Sequence, residues 1–352
     1  MYPLFLILVF VNGLRMPDDP LFLKQQALDK FRFSIRPELP RGLGPVTTVV
    51  SPGGKFIFEV RSHDTIKKVD RFKSTLQITA GYFENAFSFA RPITIQVDYG
   101  SYCSDSDCTA RSPYNHGECV PWFKEIYSST GDVVLWPYAL VHQKEPRVSK
   151  EFDMKMYIDN SDIYMYPEEL GDYSILKYDI SAVILHEMIH GLGITSYVSM
   201  YTGNPKYLVS SARIAYHRTS VTISYVKTLY DTFLHLNHST KDFPKRLYSV
   251  PGYEDISPLL STRCSTYFLT KSNKKFYTGY LSPNIADFSH LDRGCFKVEP
   301  EYSLTAPIEE MYLDILVTLG YQLNPNPSME KSLFGLLDAM KPFIPDKRNT
   351  SN

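Results

Sequence analysis

The eleven residues from Leu185 to Thr195 (LHEMIHGLGIT) constrain this chain more than any other stretch of it. They hold His186-Glu187-x-x-His190, and the run before them, Ile180–Leu185 (ISAVIL), is apolar apart from Ser181. Asp179 can cap this run, and Gly191 and Gly193 can end it, so the pattern predicts a helix over 180–190. Residues four apart share one helix face, so His186 and His190 can bind a single ion together while Glu187 projects beside it. Two imidazole ligands favour Zn²⁺, and the adjacent carboxylate can accept a proton from a water that the ion activates. Two histidines around a buried carboxylate, as ordinary core groups, would carry a desolvation cost with nothing to offset it. The string therefore reads as a zinc site with one ion per chain, His186 and His190 as ligands and Glu187 as general base.

A catalytic zinc site takes three protein ligands and keeps a fourth position open. In the pattern His-Glu-x-x-His-x-x-Gly-x-x-His, Gly193 matches the glycine, but Ser196 stands at the third histidine position. A glutamate from a closely following helix is excluded, because residues 191–230 contain no Asp or Glu. Glu254 sits in the turn-like string Pro-Gly-Tyr-Glu-Asp, and His217, His235, His238, His290 and some carboxylates remain open. His290 differs in its setting, Asp287-Phe288-Ser289-His290-Leu291-Asp292. Downstream come Ser303-Leu304-Thr305-Ala306-Pro307 and a predicted helix, Ile308–Leu319, closed by Gly320 before Tyr321.

That order of motifs resembles leishmanolysin and its relatives, metzincin-like zinc proteases in which an insertion separates the glycine from the third histidine. In them the third ligand sits in a His-Trp-Glu-like segment, ahead of a Leu-Met-Thr-like turn and a helix ending in Leu-Gly-Tyr or similar. The resemblance implies that His290 is the third ligand and that residues 194–289 are the insertion. Asp292 then matches the following acid, either as an alternative ligand or as an acceptor for a ligand imidazole. A group of fungal secreted proteins with His-Gly-Leu-Gly and a later Ser-His-Leu/Val-Asp is more similar still. The resemblance covers Ile93–Tyr321 and is densest over 185–193. It departs at Thr305, which stands where the family has a Met that packs under the metal without binding it.

The activity implied is hydrolysis of peptide bonds in a protein or peptide substrate. Thr305 and the 26 Tyr also motivate an alternative, an inactive relative using a structural zinc as an extracellular binding or wall protein. Retention of Glu187 speaks against it, since a structural site has no need of that carboxylate. A zinc hydrolase acting on something other than peptides is a third reading.

Met1–Val11 (MYPLFLILVFV) is almost wholly apolar, too short to span a bilayer, and followed by a small residue at Gly13. It reads as a secretory signal peptide, so the protein is expected outside the cell, with Asn237-His-Ser and Asn349-Thr-Ser as glycosylation acceptors. No later run is long and apolar enough for a membrane anchor. Charges of 37 Lys+Arg against 38 Asp+Glu give no support for a nucleic-acid partner. Of the five cysteines, Cys103, Cys108 and Cys119 share a polar, turn-rich stretch that reads as an exposed stapled loop. Cys264–Cys295 is a plausible disulfide, and the odd count leaves at least one thiol over. A Cys₃His zinc site with His116 lacks the paired Cys-x-x-Cys spacing of structural zinc modules. Residues 14–92 contain no Cys, so no thiol from that segment can block the metal.

Elsewhere Thr47–Val60 reads as a hairpin about Pro52-Gly53-Gly54 and Asp64–Asn85 as a helix. Ile93–Val97, Val133–Tyr138 and Met154–Ile158 read as strands. Leu14–Pro45 looks helical then loop-like, Ser328–Met340 looks like one amphipathic helix, and residues 196–287 show no strong pattern, only short helical and hairpin-like pieces. The expected fold is α+β and zincin/metzincin-like. It has a mixed sheet and the active-site helix in an N-terminal subdomain, then an irregular C-terminal subdomain with a large insertion. The expected division is a signal peptide at 1–13, an N-terminal segment at 14–90, a catalytic domain at 91–322 and a tail at 323–352. The 14–90 segment is either a propeptide or part of the first subdomain.

Overall fold

The computed structural model describes residues 46–62, 66–100, 117–127, 133–145, 152–160, 164–166, 178–201, 207–216, 221–236, 245–246, 266–282, 285–291 and 306–326. In chain order the first elements are β1 (Val46–Val50), β2 (Phe56–Ser62), α1 (Ile66–Ala86), β3 (Phe87–Ser88) and β4 (Ile93–Gly100). Then come β5 (Gly117–Pro121), β6 (Phe123–Tyr127), β7 (Val133–Pro137), α2 (Tyr138–Lys144) and β8 (Met154–Asp159). β9 (Tyr164–Met165) and β10 (Tyr178–Asp179) lead into α3 (Ile180–Gly191). Beyond it lie β11 (Val198–Tyr201), β12 (Tyr207–Tyr216), β13 (Val221–Thr228), a 3₁₀ turn (Tyr230–Phe233) and β14 (Leu234–Leu236). The remainder is β15 (Lys245–Arg246), β16 (Thr266–Leu269), β17 (Lys275–Ser282), β18 (Ile285–Leu291), α4 (Ala306–Leu319) and β19 (Gln322–Leu323).

The chain is α+β. Its first sheet runs β1-β2-β4-β8-β5, with β2, β4 and β8 parallel and both flanking strands antiparallel. Strand alternation explains which face is covered: Phe56, Phe58 and Val60, then Ile93, Ile95, Val97 and Tyr99, then Met154, Met156 and Ile158 are all buried on one side. Against that side lies α1, whose Phe72, Leu76, Ala80 and Phe83 repeat at helical spacing. α3 shares the same core through Ile180, Ile184 and Met188, spaced one turn apart. The Phe72 and Tyr99 rings stack with centroids 4.0 Å apart, pinning α1 to β4. Phe72→Ala opens a cavity here and is expected to cost about 3–5 kcal/mol, read from chemical denaturation. Residues 46–62 and 66–86 are thus built into the central sheet and its helical cover, with β2 hydrogen-bonded between β1 and β4.

Residues 196–287, read as short helical and hairpin-like pieces, are mostly strand where they are described, with a 3₁₀ turn at Tyr230–Phe233. A second sheet runs β11-β12-β13-β7-β6 and a third runs β15-β14-β16-β17-β18. The second sheet takes β6 and β7 from before α3 and joins β7 to β13 in parallel. β11–β12, β12–β13 and β6–β7 pair as sequence neighbours, so the β7–β13 pairing is the long-range one, and local periodicity does not announce it. The predicted strand over 133–138 stops at Pro137, where α2 begins. α4 packs Met311, Ile315, Leu316 and Leu319 into the main core. β19 then pairs with β3, and Tyr321 packs edge-on against Phe87 and Phe89, which ties the segment after α4 to the end of α1.

The reading of Cys119 as part of an exposed stapled loop is corrected. It lies in β5, where Gly117, Cys119 and Pro121 alternate inward, and its thiol is buried and outside any disulfide. The other four cysteines and His116 lie outside the described residues, as do Met1–Gly13, Leu14–Pro45, Asn237, Asn349, Thr305 and Ser328–Met340. Among the described residues no helix is long and apolar enough to cross a membrane.

Candidate metal centre

The helix predicted over 180–190 forms as α3 and ends at Gly191. Its end is a Schellman closure: the Gly193 N–H donates to the His190 carbonyl at 2.9 Å and the Ile194 N–H to the Ile189 carbonyl at 3.3 Å. Gly193 has φ +117°, a backbone state that side chains resist, and Pro137 packs where its Cβ would be. The reversal delivers the Ile194 carbonyl to His190, whose Nδ1–H donates to it at 2.7 Å. A carbonyl can only accept, so the proton is on Nδ1, and in the neutral ring Nε2 presents its lone pair to the site. Below this loop the Tyr321 hydroxyl donates to the Leu192 carbonyl at 3.0 Å, so the tripeptide closing α4 supports the turn after the helix.

Three imidazoles converge there. His186 Nε2 is 3.1 Å from both His190 Nε2 and His290 Nε2, and the last two are 3.2 Å apart. Each Nε2 has one in-plane direction for bonding, so three in mutual contact cannot all be satisfied by hydrogen bonds to one another. A shared cation satisfies all three. Placed at the usual ~2.0–2.1 Å from each nitrogen, it would see them at mutual angles of about 100°, near tetrahedral, with a fourth direction open. The donor set therefore fits zinc, and among the described residues it is the one such group of three.

His290 reaches the site through an irregularity in β18. Thr278 pairs with Leu291 and Tyr280 with Asp287, so between these pairs Gly279 alone faces Phe288, Ser289 and His290. A bulge of this kind re-aims side chains, and here it turns His290 toward α3. Asp292, the other residue carried over from the resemblance, lies outside the described residues, as do His217, His238 and Glu254. His235 is not at the site: it is buried in β14 with its ring stacked on Tyr267.

Glu187 is 6% exposed and is not among the three converging groups. Its carboxylate accepts from the Cys119 backbone N–H on β5. Burial, and then the Glu118 carboxylate, push the Glu187 carboxyl up to about 8, against the pull of His290 and the Cys119 N–H. A cation held by the imidazoles acts in the opposite sense. Gly117 makes room for this side chain, because a Cβ there would stand 3.0 Å from Glu187 Cγ and 3.0 Å from Ile158 Cδ1. If Glu187 serves as the general base of a metal site, Gly117→Ala is expected to lower turnover by up to about 10²-fold by displacing the carboxylate, with metal content unchanged on the same sample. Sequence reasoning missed β5 altogether, since Gly-Glu-Cys-Val-Pro has little strand propensity and follows a cysteine-rich stretch.

The sequence model of the SPBPB7E8-like family matches residues 47–233, just over half of the 352 residues. The chain belongs to that family. The matched span of this SPBPB7E8-like chain runs from β1 to the 3₁₀ turn and includes His186, Glu187 and His190, while His290 lies beyond it. Comparison with curated proteins and with solved structures gave no match.

Proposed function

We propose that this chain is a secreted zinc endopeptidase of metzincin-like fold, with His186, His190 and His290 on the metal and Glu187 as general base. The observation that carries the reading is the meeting of three Nε2 atoms within 3.2 Å, from segments 100 residues apart, beside a buried carboxylate that is not one of them. Zinc, when bound, lowers the pKa of a water toward neutrality and polarises a carbonyl. Glu187 takes the water's proton and hands it to the leaving amine. Its burial keeps bulk water from competing for that proton, and the Cys119 N–H holds the carboxylate in one orientation. The mixed sheet with α3 packed across it supports the metzincin-like arrangement.

β5 favours a peptide as substrate. Among the described residues it stands at the edge of its sheet beside β8, and its Cys119 N–H donates to Glu187. An extended chain can add to such an open edge. The export part of the proposal rests on Met1–Gly13. Recovery of the mature chain from culture medium, with an N-terminus near residue 14, is the check on it.

The activity is tested with the purified full chain and an unfolded protein such as casein. Cleavage is expected, lost with a zinc chelator and restored by added zinc. Cleavage by protein shown to be free of metal would overturn the proposal.

A further inference from the structure

Resting on the three-histidine metal reading, we infer that Tyr230 and Ser196, held in place by the buried Asp231, are positioning residues that set where His290 stands. The bulge at Phe288–His290 takes these residues out of regular pairing with β17, so their backbone groups need partners elsewhere. Two contacts from outside the sheet bracket the histidine. The Tyr230 hydroxyl donates to the Phe288 carbonyl at 2.9 Å, and the Ser196 N–H donates to Ser289 Oγ at 2.9 Å.

Both donors are fixed by one knot. Asp231 is fully buried, and its Oδ2 accepts from the Thr228 N–H at 2.8 Å and the Tyr197 N–H at 3.1 Å. The Asp231 N–H donates to Thr228 Oγ1 at 3.0 Å, whose hydroxyl donates to the Thr195 carbonyl at 2.7 Å. The knot thus joins the end of β13, the 3₁₀ turn and the segment that leaves α3 just after His190. The segment following the first two ligands and the strand bearing the third are locked together. Without this lock, a ligand 100 residues from His190 would hang on a bulged strand end.

Tyr230→Phe removes the hydroxyl and keeps the ring, which stacks on Phe268 at 5.0 Å, so folding is retained. Ser289→Ala removes the second contact independently. Thr270→Val is the control: it breaks the Thr270 side-chain hydrogen bonds in the β16–β17 turn, which do not reach the site. Zn²⁺ affinity by competition with a chelating dye, the visible absorption spectrum of the Co²⁺-loaded full chain, and Tm are measured on all four proteins. Tyr230→Phe and Ser289→Ala are expected to weaken Zn²⁺ binding about 10- to 100-fold and to shift the cobalt bands. Thr270→Val is expected to lower Tm alone. Wild-type affinity and cobalt spectrum in both test variants would overturn the inference while leaving the metal reading intact. A wild-type protein that takes neither ion would overturn both.

Discussion

Glu187→Ala is expected to lower peptide hydrolysis by about 10²–10⁴-fold, the usual worth of a general base, and to leave one metal ion per chain. The expectation follows from position. Glu187 shares α3 with His186 and His190 but is not one of the three converging groups, and it is anchored to β5 through the Cys119 N–H. Glu187→Gln is the sharper variant, because the amide oxygen can still accept from Cys119 while the group loses its basicity. It is expected to be as inactive as the alanine form. Unchanged turnover in either variant would sink the mechanism.

The same residue gives a stability test on metal-free protein. Its folded-state pKa, about 8, lies above the unfolded value, so the folded state binds this proton more tightly. Wild-type stability therefore falls as pH rises from the ordinary carboxyl value of 4.5 to about 8, and Glu187→Gln escapes the loss. The metal-free variant is expected to match wild type in acid and to exceed it above pH 8 in urea denaturation. A variant less stable than wild type at high pH would contradict the burial argument.

His290→Ala is the second large effect. It leaves His186 and His190, two ligands on one helix, and is expected to weaken zinc binding by more than about 100-fold, beyond what loss of an outer partner costs. His235→Ala should differ in kind: its ring is stacked on Tyr267 inside the third sheet, so its removal costs stability and spares the metal. His217→Ala and His238→Ala are likewise expected to keep zinc. Wild-type affinity in His290→Ala would assign the third ligand to another group, Asp292 first.

These contrasts track what could be read from residues alone. α3 was legible because two histidines at helical spacing, an apolar run and a Gly-Leu-Gly stop all agree along one short segment. β4 and β8 were legible because inward and outward positions alternate along them. Between 196 and 287 the hairpin-like character was legible, but the joining of β13 to β7 was not, since the partner lies some ninety residues earlier and nothing local announces that pairing. His290 could be singled out only through the resemblance, because a histidine brought in by a bulge a hundred residues after His190 leaves no spacing rule to read. The contribution of β5 was invisible for another reason. It acts through a backbone N–H at Cys119 and a missing side chain at Gly117, neither of which sequence chemistry displays.

The most direct test of the central claim is elemental analysis of zinc per chain, on full-length protein purified with zinc supplied and then dialysed. One equivalent in the wild type, lost when His186 and His190 are both replaced by alanine, is the expected result. No zinc in the wild type, or a full equivalent retained by the double variant, would contradict it.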